Sequence, residues 1–208
     1  MKIHHLMLLA LPLGLPSYSQ AASSLNELEL GWSVCQYRTL DKQKESCFSA
    51  LSEKAHAAST ALGDKDAPLL IWSAIIDSSW AGTKGGLGAL SLVKGARSSL
   101  EAAIAINPGA LQGSAWTSLG VLYYQVPGWP IGFGDKEKAG EMLKNALAIN
   151  PDGIDPNYFY GDFLLQQGDK TLAKTYLEKA LKAAPRPGRE IADSGRRNDI
   201  TRALASLN

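Results

Sequence analysis

The stretch that decides the fold is Trp116-Thr-Ser-Leu119-Gly120-Val-Leu-Tyr123, followed by the helix ending Asn145-Ala-Leu-Ala-Ile-Asn-Pro151. The same ending occurs as Ala102-Ala-Ile-Ala-Ile-Asn-Pro108 and as Lys179-Ala-Leu-Lys-Ala-Ala-Pro185. The last two copies are 34 residues apart, and the same offset pairs Ala139 with Ala173 and Leu143 with Leu177. A fixed period of this length indicates a repeated helical hairpin.

The residue types in this repeat have packing reasons. Small residues such as Gly120 and Ala139 allow the two helices of a hairpin to approach closely, and Leu143 fills the space beside them. Pro151 cannot continue a helix, so the chain turns there into the next unit. The pattern Trp-x2-Leu-Gly-x2-Tyr in residues 116–123, with a period of 34, is typical of tetratricopeptide repeats.

The neighbouring units are degenerate copies of this pattern. The following unit keeps Gly161 and Leu177, but Asn157 stands where the preceding unit has Trp116. An earlier and weaker unit begins near Trp72. No segment alternates apolar and polar residues as a strand would. We therefore predict an all-α fold, a tetratricopeptide-like helical-hairpin solenoid with about four hairpins and a C-terminal capping helix.

Apolar spacing and helix breakers predict the helices of a single helical repeat domain, residues 22–208. The helices are expected near 24–39, 46–62, 67–81, 88–106, 112–125, 135–149, 156–167, 169–183 and 190–206. Asp135 and Asp169 are predicted N-caps, because their side-chain oxygens can accept the free amide protons of a helix start. The charged last segment is expected to cap the final repeat.

The first 21 residues have the features of a cleaved export signal. Lys2 supplies the positive start, residues 6–15 form an apolar run too short to span a bilayer, and Ser19-Gln-Ala21 offers a small-x-small cleavage pattern. The predicted localisation is therefore periplasmic or secreted, without membrane insertion after signal cleavage. No cysteine follows the cleavage pattern directly, so we expect no lipid anchor.

The charge balance argues against nucleic acid as a partner. The chain has 21 Lys plus Arg and 20 Asp plus Glu, and removal of Lys2 with the signal makes the two counts equal. Nucleic acids and anionic membrane surfaces are bound by a concentrated basic face. A neutral balance gives no sign of such a face.

Few side chains are suited to catalysis or metal binding. His56 is the only histidine outside the predicted signal, and the chain has two cysteines, which is too few for a four-ligand zinc site. Asp152 and Asp155 are better explained as turn and helix-start residues than as a catalytic pair. We expect no cofactor, no metal and no enzymatic activity, with His56 a solvated helix residue.

Cys35 and Cys47 are expected to form a disulfide, because exported proteins meet an oxidising compartment. Closing so short a loop contributes about 3 kcal/mol on chain-entropy arguments. The alternative is a pair of buried thiols in neighbouring helices.

Two hairpins carry extra residues, rich in glycine, at their inner turns. The first insertion is Gly82-Thr-Lys-Gly-Gly-Leu-Gly88 and the second is Pro127-Gly-Trp-Pro-Ile-Gly-Phe-Gly134. Because insertions of successive repeats map to one face, we expect the two loops to lie side by side. The first lacks the Gly-x4-Gly-Lys-Ser/Thr spacing of a phosphate loop, so its glycines are better explained by a tight turn.

Aromatic residues near the insertions are the candidate ligand- or partner-binding residues. For Trp129 and Phe133, local packing and contact with a ligand or partner are both open, because a loop of Pro and Gly does not otherwise need large apolar side chains. The other candidates belong either to the core or to the concave surface of the solenoid. The full set is Trp72, Trp80, Trp116, Tyr123, Tyr124, Trp129 and Phe133.

The combination of an export signal, degenerate repeats, a glycine-rich first insertion and the second insertion Pro127–Asp135 resembles the T component of tripartite ATP-independent periplasmic (TRAP) transporters. The resemblance spans about residues 45–200, and residues 116–185 carry its specific part. It implies an all-α periplasmic homo-oligomer with an apolar channel or groove, which docks a solute-binding protein whose ligand is hydrophobic. By position it singles out residues 82–88 and 127–134 with the neighbouring aromatics.

Three functional hypotheses follow. The first is a non-catalytic periplasmic adaptor that binds a partner protein, with a solute-binding protein as one candidate, and an apolar small molecule. The second is a generic module that holds a peptide or tail in its groove, in envelope assembly, secretion or enzyme maturation. Candidate cations for such a groove are Lys94, Arg97, Lys144 and Arg186. The third, an enzyme, has the least support because no nucleophile and base stand at a diagnostic spacing.

Overall fold

The computed structural model describes residues 18–207, and most of these residues lie in α-helices. In chain order the elements are α1 (Tyr18–Tyr37), α2 (Asp41–Ala61), α3 (Ala67–Lys84), α4 (Gly86–Ile106), a 3-10 turn (Ala110–Gly113), α5 (Ser114–Gln125), α6 (Lys136–Ile149), α7 (Ile154–Gln166), α8 (Lys170–Leu181) and α9 (Glu190–Ala205). The predicted all-α class is confirmed.

The predicted export signal, residues 1–21, lies mostly outside the described residues and stays a prediction. Helix α1 begins at Tyr18 and not near residue 24, so it continues through the predicted cleavage pattern. Within residues 18–207, every helix is too short or too polar to cross a membrane.

The helices form four hairpins in two layers. Each odd-numbered helix from α1 to α7 packs against the next helix in the chain. The odd-numbered helices also pack against one another, α1 on α3, α3 on α5 and α5 on α7. We call these four helices the inner layer, because each contacts both its hairpin partner and its neighbours in the array. Helix α9 follows the last hairpin and packs against α8, α7 and α1.

The hairpin contact explains the small residues of the repeat. A Cβ added to Gly120 would lie 2.7 Å from Cγ of Leu143, and one added to Gly161 would lie 2.9 Å from Cγ of Leu177. Both leucines are completely buried. The 34-residue period is therefore the repetition of one close contact between the two helices of a hairpin.

The predicted caps are present at both of these hairpins. The carboxylate of Asp135 accepts a hydrogen bond from the Lys138 amide, and that of Asp169 accepts one from the Leu172 amide, each at 3.0 Å. Each bond satisfies an amide proton that the first helical turn leaves free. The beginnings of α6 and α8 are thus encoded locally.

The first insertion is not the loop that the sequence predicts. Helix α3 continues to Lys84 and α4 begins at Gly86, so Gly85 alone separates the two helices. Gly85 and Gly86 have φ angles of 67° and 63°, a region that residues with a Cβ rarely adopt. Because these glycines complete the reversal, most of the extra residues lengthen the helices, and the apolar side chain of Leu87 is left in solvent.

Cys35 and Cys47 form the predicted disulfide, with their Cα atoms 5.6 Å apart. The bond joins the end of α1 to the beginning of α2 across the turn at residues 38–40. It closes the first hairpin covalently.

We predict that Gly120→Ala destabilises the protein by about 1–3 kcal/mol, because the new methyl group overlaps Leu143 in a filled core. The matched control is Gly95→Ala in α4, where an added Cβ meets nothing within 4 Å. That exposed helical site should gain about 0.5–1 kcal/mol from the lower flexibility of alanine. Urea unfolding of the two variants measures the difference, and equal effects would contradict the packing argument.

We predict that replacing Cys35 and Cys47 by serine lowers the free energy of unfolding by about 3 kcal/mol, because the unfolded chain is no longer cross-linked. Thermal unfolding of the variant beside the oxidised wild type measures this. Thiol titration of the denatured, unreduced wild type should find no free thiol. Recovery of two thiols would contradict the disulfide.

Candidate partner-binding site

The second insertion is a folded loop between α5 and α6. The Gly134 amide donates to the Pro127 carbonyl at 3.0 Å, and the Ile131 amide donates to the Gly128 carbonyl at 3.1 Å. A Cβ at Gly134 would overlap the Val126 carbonyl oxygen, so this position requires glycine. The loop therefore has a fixed backbone course that presents its side chains in defined directions.

Phe133 anchors this loop to the helices. Its ring meets the ring of Tyr123 edge to face, with centroids 5.7 Å apart, and Tyr123 itself is buried. The guanidinium of Arg97 lies 5.1 Å from the centre of the Phe133 ring. The Phe133 ring therefore packs locally and also lines a cleft against α4, so contact with a ligand or partner stays a prediction.

The Trp129 side chain, in contrast, extends into solvent. It is 90% exposed, and Ile131, two residues on, is 63% exposed. Leu87, in the turn of the preceding hairpin, is 86% exposed. We call Leu87, Trp129 and Ile131 the tip surface, because all three lie at turns within hairpins. Large apolar side chains on a folded loop that leaves them in solvent are typical of an interaction surface.

A cleft of about 330 Å³ lies beside the tip surface. One wall is α4, with Lys94, Arg97 and Glu101, and the other is the second insertion, residues 130–133. Arg97 donates to Glu101 at 2.7 Å, so the charge of this wall is partly balanced. The cleft combines an apolar wall with a polar one.

The remaining aromatic candidates are buried or half-buried. The Trp72 indole donates to Glu29 at 3.0 Å, the Trp116 indole donates to the Pro108 carbonyl at 3.0 Å, and the Tyr124 hydroxyl donates to Asp162 at 2.7 Å. Burial raises the pKa of Tyr124, and the nearby Asp162 carboxylate adds to this. Trp80 is half-buried, with the Lys84 ammonium 5.3 Å from its ring centre. Trp129 alone among the seven candidates is largely in solvent.

Helix α9 covers part of the inner layer through a half-buried ion-pair cluster. Asp155, in the first turn of α7, accepts hydrogen bonds from Arg186 at 2.6 Å and from Arg196 at 2.9 Å. Burial alone would raise the pKa of Asp155, but the two guanidinium charges outweigh it and hold the pKa well below its usual range. The Arg196 guanidinium also lies 4.5 Å from the ring centres of both Tyr158 and Phe159.

The same segment reaches the first hairpins. Arg189 lies 4.9 Å from the ring centre of Trp72 and pairs with Glu29 at 3.4 Å. The Tyr37 hydroxyl donates to Asp199 at 2.9 Å. The prediction of a capping helix is therefore incomplete: α9 packs on the last hairpin and also bridges to α1 and α3. A sequence signal for this contact exists in Arg196 and in the aromatic pair at residues 158–159, which Arg196 faces.

His56 is exposed, as predicted for a solvated helix residue, but it also has a structural role. Its Nε2 lies 2.9 Å from the carboxylate of the buried Asp77, which also accepts a hydrogen bond from the Ser52 hydroxyl at 2.6 Å. Asp77 thus stands between the serine and the histidine. A nucleophile needs its base directly beside it, so this order does not activate Ser52.

The comparisons with known proteins identify a repeat family over part of the chain. Residues 131–193 match the tetratricopeptide repeat family, a stretch that contains α6, α7 and α8. Among solved structures the chain is similar to a thermophilic TPR protein in Thermus thermophilus, at 18% identity and a TM-score of 0.45, with 88% of this chain and 98% of that chain covered. No curated protein sequence matches the chain. The repeat match and the four hairpins confirm the predicted tetratricopeptide-like helical-hairpin solenoid.

We predict that His56 makes the stability depend on pH. The hydrogen bond with Asp77 raises the pKa of His56 against the smaller effect of burial, so the protonated imidazolium is stabilised in the folded state. This contribution is complete below the unfolded pKa and is lost as the pH rises through the higher folded pKa. His56→Ala should therefore lower the free energy of unfolding by about 0.5–1 kcal/mol more near pH 5.5 than near pH 9. Exposed ion pairs typically contribute this much.

Urea unfolding at the two pH values measures this difference. Lys54→Ala, on the same helix, is the matched control and should keep the pH profile of the wild type. An identical cost of His56→Ala at both pH values would contradict the pairing with Asp77.

Proposed function

We propose that this chain is a non-catalytic adaptor that binds a partner protein through the tip surface, Leu87, Trp129 and Ile131. The observation that carries the proposal is the 90% exposure of Trp129 on a loop whose backbone is held by its own hydrogen bonds. Helical-repeat folds of this kind commonly serve as binding scaffolds.

The energetics favour a protein interface at this surface. A tryptophan buries roughly 150–250 Å² when a partner covers it, which at about 25 cal/mol per Å² corresponds to several kcal/mol before the costs of association. Tryptophan is enriched among the residues that dominate binding energies. Because the loop is already folded, little conformational entropy is lost when the ring is buried.

The cleft beside the loop supports the same surface. Its polar wall, which includes Lys94 and Glu101, gives hydrogen-bonding groups next to the apolar tip. Stable interfaces combine an apolar centre with such a polar rim. A partner that covers Trp129 can therefore also place polar groups, or a small apolar side chain or ligand, in the cleft.

The compartment and the partner follow from the sequence resemblance. The disulfide is consistent with an oxidising compartment, as a periplasmic or secreted protein requires. The resemblance to the TRAP transporter T component makes a periplasmic solute-binding protein, with a hydrophobic ligand, the first partner to test. We propose residues 22–208 as the working domain, and homo-oligomerisation as part of the same assembly.

A generic module that holds a peptide or tail in its groove is the second candidate. One observation favours it: the inner layer holds a helical segment, the chain's own α9, through ion pairs and stacked arginines.

We predict that Trp129→Ala weakens partner binding by more than about 1 kcal/mol, because the ring is the largest exposed apolar group of the tip surface. Tagged wild type and variant are compared by capture from a periplasmic extract, and the affinity for the captured protein is then measured by calorimetry. The control is Ile149→Ala, a half-exposed site at the end of α6, away from the hairpin turns.

Both variants should unfold at the temperature of the wild type, since neither side chain belongs to the core. Loss of binding by Trp129→Ala alone supports the tip surface. If Trp129→Ala binds the captured partner with unchanged affinity, the partner binds at another surface and the proposal is wrong.

A further inference from the structure

The inner layer has two places that each hold an arginine of the C-terminal segment. In the first, Arg189 lies over Trp72 and pairs with Glu29, which also accepts the Trp72 indole hydrogen bond. In the second, Arg196 lies over Tyr158 and Phe159 and pairs with Asp155. Each place combines an aromatic face with a carboxylate, the two groups that a guanidinium binds best. We call them the arginine sites.

The spacing of the two arginines matches a helix. Arg189 and Arg196 are seven residues apart, about two helical turns, and Arg189 is the N-cap residue whose backbone lies just outside the helix. Ala192 and Gly195 lie between them on the same buried side. A Cβ at Gly195 would overlap the ring of Tyr37, so α9 can approach α1 only because this residue is glycine.

Helix α9 has polar contacts at its beginning and apolar contacts at its end, where Ile200 packs with Ile154 and Leu177 of the last hairpin. Its buried residues are Ala192, Asp193, Gly195, Arg196 and Ile200. Apart from Ile200, large apolar side chains are missing from this set, whereas α5 buries two leucines and a tyrosine. The beginning of the segment therefore depends on its arginines and on close approach, whereas its end packs on the last hairpin through apolar side chains.

The linker gives α9 the character of a tethered ligand. Residues 182–189 contain Pro185, Pro187 and Gly188 and join α9 to α8 without a helix. A segment tethered in this way occupies its site because the linker gives it a high effective concentration, not because it belongs to a hairpin.

We propose that the inner layer is a binding site for an arginine-bearing helix of a partner protein, and that α9 is the intramolecular occupant which competes with that helix. The partner helix has two arginines seven residues apart, with small residues at the third and sixth positions after the first arginine. This site is separate from the tip surface, and the inference does not depend on the function proposed there.

The test uses the full chain and a synthetic fluorescent peptide with the sequence of residues 184–207. In Arg196→Ala, Asp155 keeps its partner Arg186, so the variant weakens α9 without leaving the carboxylate unpaired. Release of α9 raises the fraction of open sites, so the peptide should bind this variant about tenfold more tightly than the wild type. The control is Arg202→Ala, a 77% exposed side chain that pairs only with Asp199 of its own helix.

Two peptide variants test the chemistry of recognition. The peptide with Arg196→Ala should lose binding, because the second arginine site is left empty. The peptide with Gly195→Leu should also lose it, because the new side chain collides with Tyr37. Equal binding of all three peptides, or no binding of the native peptide to a folded Arg196→Ala chain, overturns the proposal. Trp129→Ala should leave peptide binding unchanged, which separates this result from the tip surface.

If Arg196→Ala does not fold, hydrogen exchange of the wild type tests the proposal. The amides of α9 should exchange faster than those of α8, and faster still with the peptide in excess. The proposal is overturned if the α9 amides exchange at the same rate as those of α8 and the peptide does not change that rate. If size-exclusion chromatography shows a wild-type dimer that exchanges α9 between its copies, the site belongs to a second copy of the chain. That result would also overturn the proposal.

Discussion

The close contact of Gly120 with Leu143, repeated between Gly161 and Leu177, determines the rest of the architecture. A side chain at either glycine would push the helices of the hairpin apart, and the leucines would no longer be completely buried. Close hairpins allow the odd-numbered helices to meet as an inner layer. The inner layer is therefore a consequence of this packing constraint.

Local signals made most of this fold predictable. The repeated helix endings, the N-caps at Asp135 and Asp169 and the prolines after helices depend on neighbouring residues, and the predicted helix bounds agree with the structure within a few residues over most of the chain. For the first insertion, the prediction of a loop from local signals was wrong. A cluster of glycines is compatible with a loop and also with a one-residue reversal, and the choice depends on the φ angles of Gly85 and Gly86, which composition does not determine.

The candidate site was predictable only in part, because exposure is a property of tertiary packing. Trp129 and Phe133 are four residues apart in the same glycine-rich loop, yet one ring faces solvent and the other packs on Tyr123. The contacts of α9 were harder still to predict. Asp155 and Arg196 are 41 residues apart in the chain, and their charges alone are compatible with solvated surfaces of two separate helices.

The energetics of the Asp155 cluster bear on what α9 does. Asp155 and Arg186 keep 29% and 32% of their side-chain surface exposed, so water screens this pair and it adds little net stability. The geometry is nevertheless demanding at Arg196, because this guanidinium is only 10% exposed and needs a carboxylate partner. A helix held in this way is bound specifically without a large surplus of free energy. Those are the properties of a segment that a matching partner helix can replace at the arginine sites, while Ile200 and its apolar neighbours keep the end of α9 on the last hairpin.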